Sequence, residues 1–168
     1  IRDAMKTDQL IGMIQPSNDA RVPELFTVGC AGKITRYQET HDGRIEINLF
    51  GICRFKIREE IPTTRGYRLV RPDWQAYAID YDVEAIPDAD KKYLFTTLEQ
   101  YFEEKNIEVD WQVLQKLDSN ELINSMITVL PLAAQEKQTL IEVGTISERL
   151  QYFCAILESS YQVKNRVC

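Results

Sequence analysis

Between residues 45 and 58 the chain alternates without a break. Ile45, Ile47, Leu49, Gly51, Cys53, Phe55 and Ile57 take the odd positions, and Glu46, Asn48, Phe50, Ile52, Arg54, Lys56 and Arg58 take the even ones. Side chains that repeat every second residue share one face of a strand, so this segment predicts β structure. At about 3.3 Å per residue it would run roughly 45 Å, more than twice the usual strand length. Such a strand has to bend, and Gly51 is the natural place. A long strand bent at a glycine predicts a curled sheet and, in a small chain, a barrel. Residues 32–38 predict its antiparallel neighbour, because Asp42-Gly43 supplies a turn whose residues accept positive φ. Residues 10–15 read as a short buried strand stopped by Pro16, and residues 17–23 as a loop. Residues 66–71 and 75–81 read as two further strands, the second with Tyr77, Ile79 and Tyr81 on one face. The spacing of Ile1, Ala4 and Met5 predicts the end of a helix over residues 1–8.

After Pro87 the period becomes helical. Asp88 is placed to cap a helix carrying Leu94, Leu98, Tyr101 and Phe102, with Asn106 just past its end. Asp110 precedes a short helix with Val113, Leu114 and Leu117. Asp118 with Glu121 has the form of a capping box ahead of Leu122, Ile123, Met126, Ile127 and Leu130. A helix over about residues 133–143 should stop at Gly144. Thr145 with Glu148 then opens a last helix whose stripe is Ile146, Leu150, Phe153, Leu157 and Tyr161. Strands first and helices after predict an α+β chain in two segregated parts. A β-barrel part is expected over residues 1–86 and a helical bundle over 87–168, joined near residues 84–88.

Composition narrows the setting. With 168 residues, 44% of them hydrophobic and 27% charged, the chain is long enough and apolar enough to bury a core. No run of about 18 apolar residues predicts a membrane span, and the first residues lack a signal peptide's apolar stretch. A chain beginning at Ile1 rather than Met leaves an upstream segment open. Cys30, Cys53, Cys154 and Cys168 form no C-x-x-C pair, so buried free thiols in a reducing cytoplasm are expected. His41 stands alone in a turn, which leaves no second imidazole for a metal cluster, and no cofactor is expected. Residues 1–75 carry 12 Lys and Arg against 10 Asp and Glu, whereas residues 76–168 carry 8 against 16. The acidic second part would repel a nucleic-acid backbone.

Catalytic patterns fail on spacing. Gly29-Cys30-Ala31-Gly32-Lys33-Ile34-Thr35 imitates a phosphate loop, but Thr27 and Ile34 stand where that loop needs a glycine and a hydroxyl. There is no G-x-S-x-G elbow, and a Cys–His pair would have to use His41. Glu59-Glu60, Asp80 with Asp82, and Glu103-Glu104 are most simply solvated carboxylates. Two surface features remain. Arg54, Lys56 and Arg58, followed by Arg65, Arg68 and Arg71, predict a basic stripe, solvated, turned to an acidic partner or turned to the chain's own acidic part. Phe50 and Ile52 interrupt the polar face of the long strand, as a helix seat or as a peptide-binding groove.

Several of these residues also carry a family resemblance. Residues 23–34, Pro-Glu-Leu-Phe-Thr-Val-Gly-Cys-Ala-Gly-Lys-Ile, then Asp42-Gly43-Arg44 and residues 49–55, Leu-Phe-Gly-Ile-Cys-Arg-Phe, resemble the N-terminal substrate-binding domain of Lon proteases. Leu130-Pro131-Leu132, residues 136–142 and Glu148-Arg149-Leu150 are similar to the same family's helical region. Nearly the whole chain is covered in the family's order, as in short bacterial proteins that carry this domain alone. The resemblance implies a PUA-like β-barrel followed by helices, and recognition of unfolded or tagged polypeptide, with a separate protease as a further expected partner. It also implies no catalysis, since Lon's ATPase and Ser–Lys peptidase modules would not fit in this length. Gly29, Gly32 and Gly51 are then expected to shape the backbone, and Pro131, Glu136, Lys137 and Gln138 to cap helices or join them to the barrel.

On this reading the polypeptide contacts are Phe50, Ile52, Arg54, Tyr67 and Arg68. The different-class alternative is an RNA-binding PUA-like module using the basic strand, against which the acidic charge argues. The family normally opens with an apolar strand that precedes the position of Ile1. A chain without it is expected to expose a barrel edge and to self-associate there or lose stability.

Overall fold

The computed structural model describes residues 1–82 and 85–162. The chain divides into two compact units, Ile1–Asp82 and Val83–Cys168. Cys168 and part of the expected joint, residues 83 and 84, lie outside the described residues.

The first unit opens with a one-turn helix, α1 (Arg2–Met5), followed by strands β1 (Leu10–Met13), β2 (Val28–Glu39), β3 (Ile45–Ile61) and β4 (Leu69–Asp73). They form one antiparallel sheet in the order β1-β2-β3-β4. Among the described residues the ladder runs from β1 to β4 without pairing those two strands to each other, so it is a four-stranded sheet where a closed barrel is expected. The β2–β3 hairpin turns where Asp42-Gly43 predicts, with Gly43 at φ 81° and Thr40 N–H donating to Arg44 O at 2.9 Å.

The bend in β3 takes the form of bulges. Ala31 pairs with Cys53 but Gly32 pairs with Gly51, which leaves Ile52 as an extra residue. Thr35 on β2 and Arg58 on β3 are extra in the same way. One extra residue shifts a period of two by one, so the stripe of Ile45, Ile47 and Leu49 and the stripe of Cys53, Phe55 and Ile57 serve opposite faces. The bend falls beside Gly51 as expected, although a Cβ there would meet nothing within 4 Å. Gly29 is the position that space requires. A Cβ on it would lie 2.6 Å from Met13 O and 2.4 Å from Ile14 Cγ1, so β1 can approach β2 only because residue 29 has no side chain.

Two strand expectations are corrected. β1 is not buried: Leu10 and Met13 are exposed, because β1 is an edge strand paired on one side only. Residues 75–81 form two short 3-10 turns interrupted at Tyr77 instead of a strand. Turn geometry brings Tyr77 and Asp80, three residues apart, to the same side, where both meet Arg54. The buried cluster of this unit is small: Ala31, Cys53 and Phe55, with Ile14, Ile57 and Val70 against them. Trp74 meets Phe55 edge to face at 5.5 Å.

The second unit is helical, with α2 (Asp88–Lys105), α3 (Trp111–Leu114), α4 (Ser119–Val129), α5 (Ala134–Glu142) and α6 (Ile146–Gln162). Its ends follow the polar residues of the sequence. Asp118 accepts from Glu121 N–H at 2.8 Å while Glu121 accepts from Asp118 N–H, and Thr145 and Glu148 exchange the same pair of bonds. The Asp110 carboxylate accepts from Gln112 and Val113, and Asn106 ends α2 in the left-handed conformation. Asp88 is the first residue of α2 rather than its cap, a place held by Pro87, and there its charge complements the helix N-terminus. Leu94, Leu98, Leu122, Ile123, Leu140, Leu150, Phe153 and Leu157 are fully buried in one continuous cluster.

Candidate functional site

The residues expected to contact polypeptide separate into three environments. Arg54 is not on the surface. It is 6% exposed, and its Nη2 and Nε donate to Asp80 Oδ1 at 2.6 and 3.0 Å. Its own backbone N–H donates to Asp80 Oδ2 at 2.7 Å, and its guanidinium lies 4.3 Å from the centre of the Tyr77 ring. A buried guanidinium needs a carboxylate and an aromatic face to replace water. Arg54 therefore pins the 3-10 segment onto β3. Beside it the Tyr81 hydroxyl sits 3.3 Å from Cys53 Sγ, and this bond holds the phenol above its ordinary pKa.

Tyr67 and Arg68 belong to the β3–β4 connection. With Glu60, Ile61, Pro62, Thr63 and Gly66 they line a shallow open cavity of about 490 Å³. Arg68 is bidentate on Glu60, at 2.6 and 2.9 Å, and donates to Pro23 O at 2.6 Å. Tyr67 OH donates to Asp3 at 2.9 Å, and that bond holds the Asp3 carboxyl below its ordinary pKa. The connection is thus tied to α1 and to the loop before β2.

The expected basic stripe is neutralised from within the same unit. Arg58 pairs with Asp73, Arg65 with Asp3, Arg68 with Glu60 and Arg71 with Glu59. Residues adjacent on paired strands place opposite charges across the ladder, so the row of cations that a phosphate backbone would need is largely compensated.

Phe50 and Ile52 are the third environment. Phe50 is 67% exposed, Ile52 40% and the adjacent Leu49 36%. Phe50 pairs with Lys33 of β2, and Lys33 in turn with Leu10 of β1. All three lie on β3, on the stretch that β4 does not flank, and large apolar side chains such as these are normally buried in a folded protein.

The expected helical signature residues act within their own unit. Glu136 accepts from Ala133 N–H at 2.7 Å, and Lys137 Nζ reaches Thr128 O at 3.3 Å. Gln138 is buried and donates to Glu142 at 2.8 Å. Pro131 is the centre of a tight turn closed by Leu132 N–H on Leu130 O at 2.8 Å. A Cβ on Gly32 would meet the Leu49 side chain at ordinary contact distance. Among the described residues no group of three or more His, Cys, Asp or Glu is placed to hold a metal, and His41 is exposed in its turn. Cys53 and Cys154 are buried free thiols and Cys30 is half-buried. Burial pushes the Cys154 thiol up to about 11.

Asp80, expected as a solvated carboxylate, and Tyr77, expected on a strand face, are instead the partners of the buried Arg54, and Asp3 is a partner that sequence reasoning missed. The spacing of Tyr77 and Asp80 was the available signal, outweighed by the alternation of Tyr77, Ile79 and Tyr81. Asp3 carried none, since its partners are 62 and 64 residues away.

The family model of the ATP-dependent protease La (LON) substrate-binding domain matches residues 1–159. Lon protease 1 of Hydrogenovibrio crunogenus is 27% identical over 98% of this chain, and Lon protease of Escherichia coli K12 is 26% identical over 98%. The chain spans 22% of the length of each of these curated relatives. Among solved structures, a Lon N-terminal domain protein from Xanthomonas campestris superposes with a TM-score of 0.65 at 21% identity, covering 92% of this chain and 79% of that one. The N-terminal domain of a Mycobacterium avium complex Lon protease superposes at 0.57 and 14% identity, over 89% and 78%.

Proposed function

The chain belongs to the Lon substrate-binding domain family, and from that premise we propose that it is a non-catalytic module that binds unfolded or tagged polypeptide and serves proteolysis carried out elsewhere. The observation that carries this reading is the exposure of Phe50 with Leu49 and Ile52 on β3. Unfolded chains differ from folded ones in presenting apolar side chains and unpaired backbone, and an exposed aromatic on a rigid strand meets the first of these without first having to be ordered. Tyr67 and Arg68, beside their open cavity, are a second contact region on the same reading. Arg54 belongs to it only as the residue that fixes β3.

A PUA-like barrel is part of the same proposal. Bulges at Thr35, Ile52 and Arg58 supply the curvature that closure of such a sheet uses. The cytoplasm is the proposed setting: no described helix is long and apolar enough to cross a membrane, and the thiols described are free.

The test is binding to unfolded casein beside a salt titration of RNA binding, with peptide-bond cleavage and ATP hydrolysis measured on the same preparation. Saturable casein binding without cleavage or phosphate release is expected. Tight, steeply salt-dependent RNA binding with no affinity for casein would replace this reading with the RNA-binding one.

A further inference from the structure

Of the seven glycines in the chain, Gly43 alone follows an Asp or an Asn. Asp42 and Gly43 are exposed in the β2–β3 turn, and a Cβ on Gly43 would meet nothing within 4 Å. An aspartate followed by glycine can close on its own main chain, because no side chain shields the glycine nitrogen. We infer that Asp42-Gly43 is the chain's site of aspartate isomerisation, a covalent modification whose only co-reactant is water, and that Thr40 and Arg44 hold the turn in a form that resists it. The inference is independent of polypeptide binding.

In the first step the Gly43 nitrogen attacks Cγ of the protonated Asp42 carboxyl. An N–Cγ bond forms, the carboxyl hydroxyl leaves with the amide proton as water, and a succinimide ring remains. Water then adds to one of the two ring carbonyls and breaks that carbon's bond to nitrogen. Addition at Cγ restores aspartate. Addition at the main-chain carbonyl leaves Gly43 attached through Cγ, which is isoaspartate. One water is lost and one regained, and nothing is oxidised or reduced. The product carries one more carbon in its backbone. The turn closes Thr40 N–H on Arg44 O at 2.9 Å and sets Glu39 opposite Ile45, so an added backbone carbon displaces the end of the hairpin.

The turn opposes the first step at both reacting groups. Arg44 Nε donates to Asp42 Oδ2 at 2.7 Å, and the Thr40 hydroxyl donates to Oδ1. Hydrogen bonds to the carboxylate favour its ionised form, which has no hydroxyl to lose. The Asp42 carboxyl accordingly lies below its ordinary pKa, chiefly through Thr40. At the other group, the Gly43 N–H is donated to Thr40 O at 3.0 Å. The Arg44 side chain is 80% exposed and that of Asp42 53%, and so exposed an ion pair adds little to stability. Its effect is on the reactivity of the turn. The next most susceptible pairs are sheltered in α4: the Asp118 carboxylate before Ser119 is taken by Glu121 N–H, and Asn124-Ser125 lies inside the helix.

The experiment incubates the whole chain at neutral pH in water enriched in heavy oxygen. Digestion and mass spectrometry then locate the residues that take up the label and separate isoaspartate from aspartate by fragmentation. A synthetic peptide of residues 38–46 is the unfolded reference. Label should appear first at Asp42, about tenfold more slowly than in the peptide, the factor expected from fixing one residue's backbone. Arg44→Gln should raise the rate in the chain about threefold, within the range of an exposed ion pair, and leave the rate of the matching peptide unchanged. Thr40→Val should also raise it, and Thr40→Ser, which keeps the hydroxyl, should not. Label arriving first at Asp118 or Asn124 would overturn the site. Equal rates in chain and peptide, or Arg44→Gln and Thr40→Val at the native rate, would overturn the guard. So would acceleration matched by equally faster exchange of the Thr40 amide, since the turn would then simply have opened.

Discussion

In the helical unit Phe153 lies with Leu94, Leu98, Leu150 and Leu157 inside one continuous apolar cluster, whereas in the β unit Phe55 has only Ala31 and Cys53 beside it in the buried cluster. Five residues from Phe55 on the same strand, Phe50 stands in solvent. Most of the exposed large hydrophobic side chains, Met13, Phe50, Trp74 and Tyr81 among them, belong to the β unit. The helices spend their apolar stripes on one another. The sheet is held instead by its ladder and by paired charges, which leaves apolar side chains available to something else. A thin core with exposed apolar positions is where a binding surface is expected.

The largest expected effects come from the two anchors that differ in kind. Phe153→Ala should cost about 3–5 kcal/mol, since it opens a cavity in the continuous cluster. Arg54→Ala should cost a comparable amount, about 3–5 kcal/mol, because it leaves the Asp80 carboxylate without its cation and frees the 3-10 segment. Denaturant unfolding checks both, and amide exchange should place the first loss in the helices and the second in residues 53–82. If Arg54→Ala melts the helices first, the two units are not stabilised separately.

Gly29→Ala is a smaller and more local break. A methyl group there meets Met13 O and Ile14, so β1 should separate from β2 at a cost of about 1–3 kcal/mol. Faster exchange at residues 10–13 with unchanged α2 and α6 amides is the expected result. Removing an exposed ion pair sharpens the contrast from the other side: Arg71→Ala should change stability by less than about 1 kcal/mol.

The effects of pH act through single groups. The Asp3 and Glu148 carboxyls are held below their ordinary pKa, the first by Tyr67 and the second by Thr145. Their contributions are therefore present above the unfolded-state value of about 4 and fade as pH falls through the lower folded-state values. At the alkaline end the Cys154 thiol, pushed up to about 11, keeps its proton in the folded state where the unfolded chain has lost it. Stability of the helical unit should decline from about pH 9 to 11. A titration of each unit's melting transition by circular dichroism reads both, and Cys154→Ala should flatten the alkaline limb.

The helical unit was the more legible half because its signals are local. Asp118 with Glu121, Thr145 with Glu148 and the Leu150–Phe153–Leu157 stripe act within a few residues of themselves. The hairpin at Asp42-Gly43 and the bend beside Gly51 were legible for the same reason. What escaped depends on partners distant in sequence. Arg54 looks like a solvated strand residue until Asp80 and Tyr77 are brought to it from 26 and 23 positions away, and the alternation that hid their 3-10 turns was real but unused by any strand. The face change at Ile52 was equally hidden, because a bulge exists only relative to the strand opposite. At the candidate site, the apolar character of Phe50 and Ile52 was visible in the sequence.

Binding of unfolded casein by Phe50→Ser measured beside its melting temperature tests most directly the claim that the β unit holds apolar surface for a partner rather than for its own core. Phe50 is exposed, so stability should change by less than about 0.5 kcal/mol. The dissociation constant for casein should rise at least tenfold, as expected for loss of an aromatic anchor. Unchanged affinity at unchanged stability would contradict the account, and so would a melting temperature that falls as far as it does for Phe153→Ala.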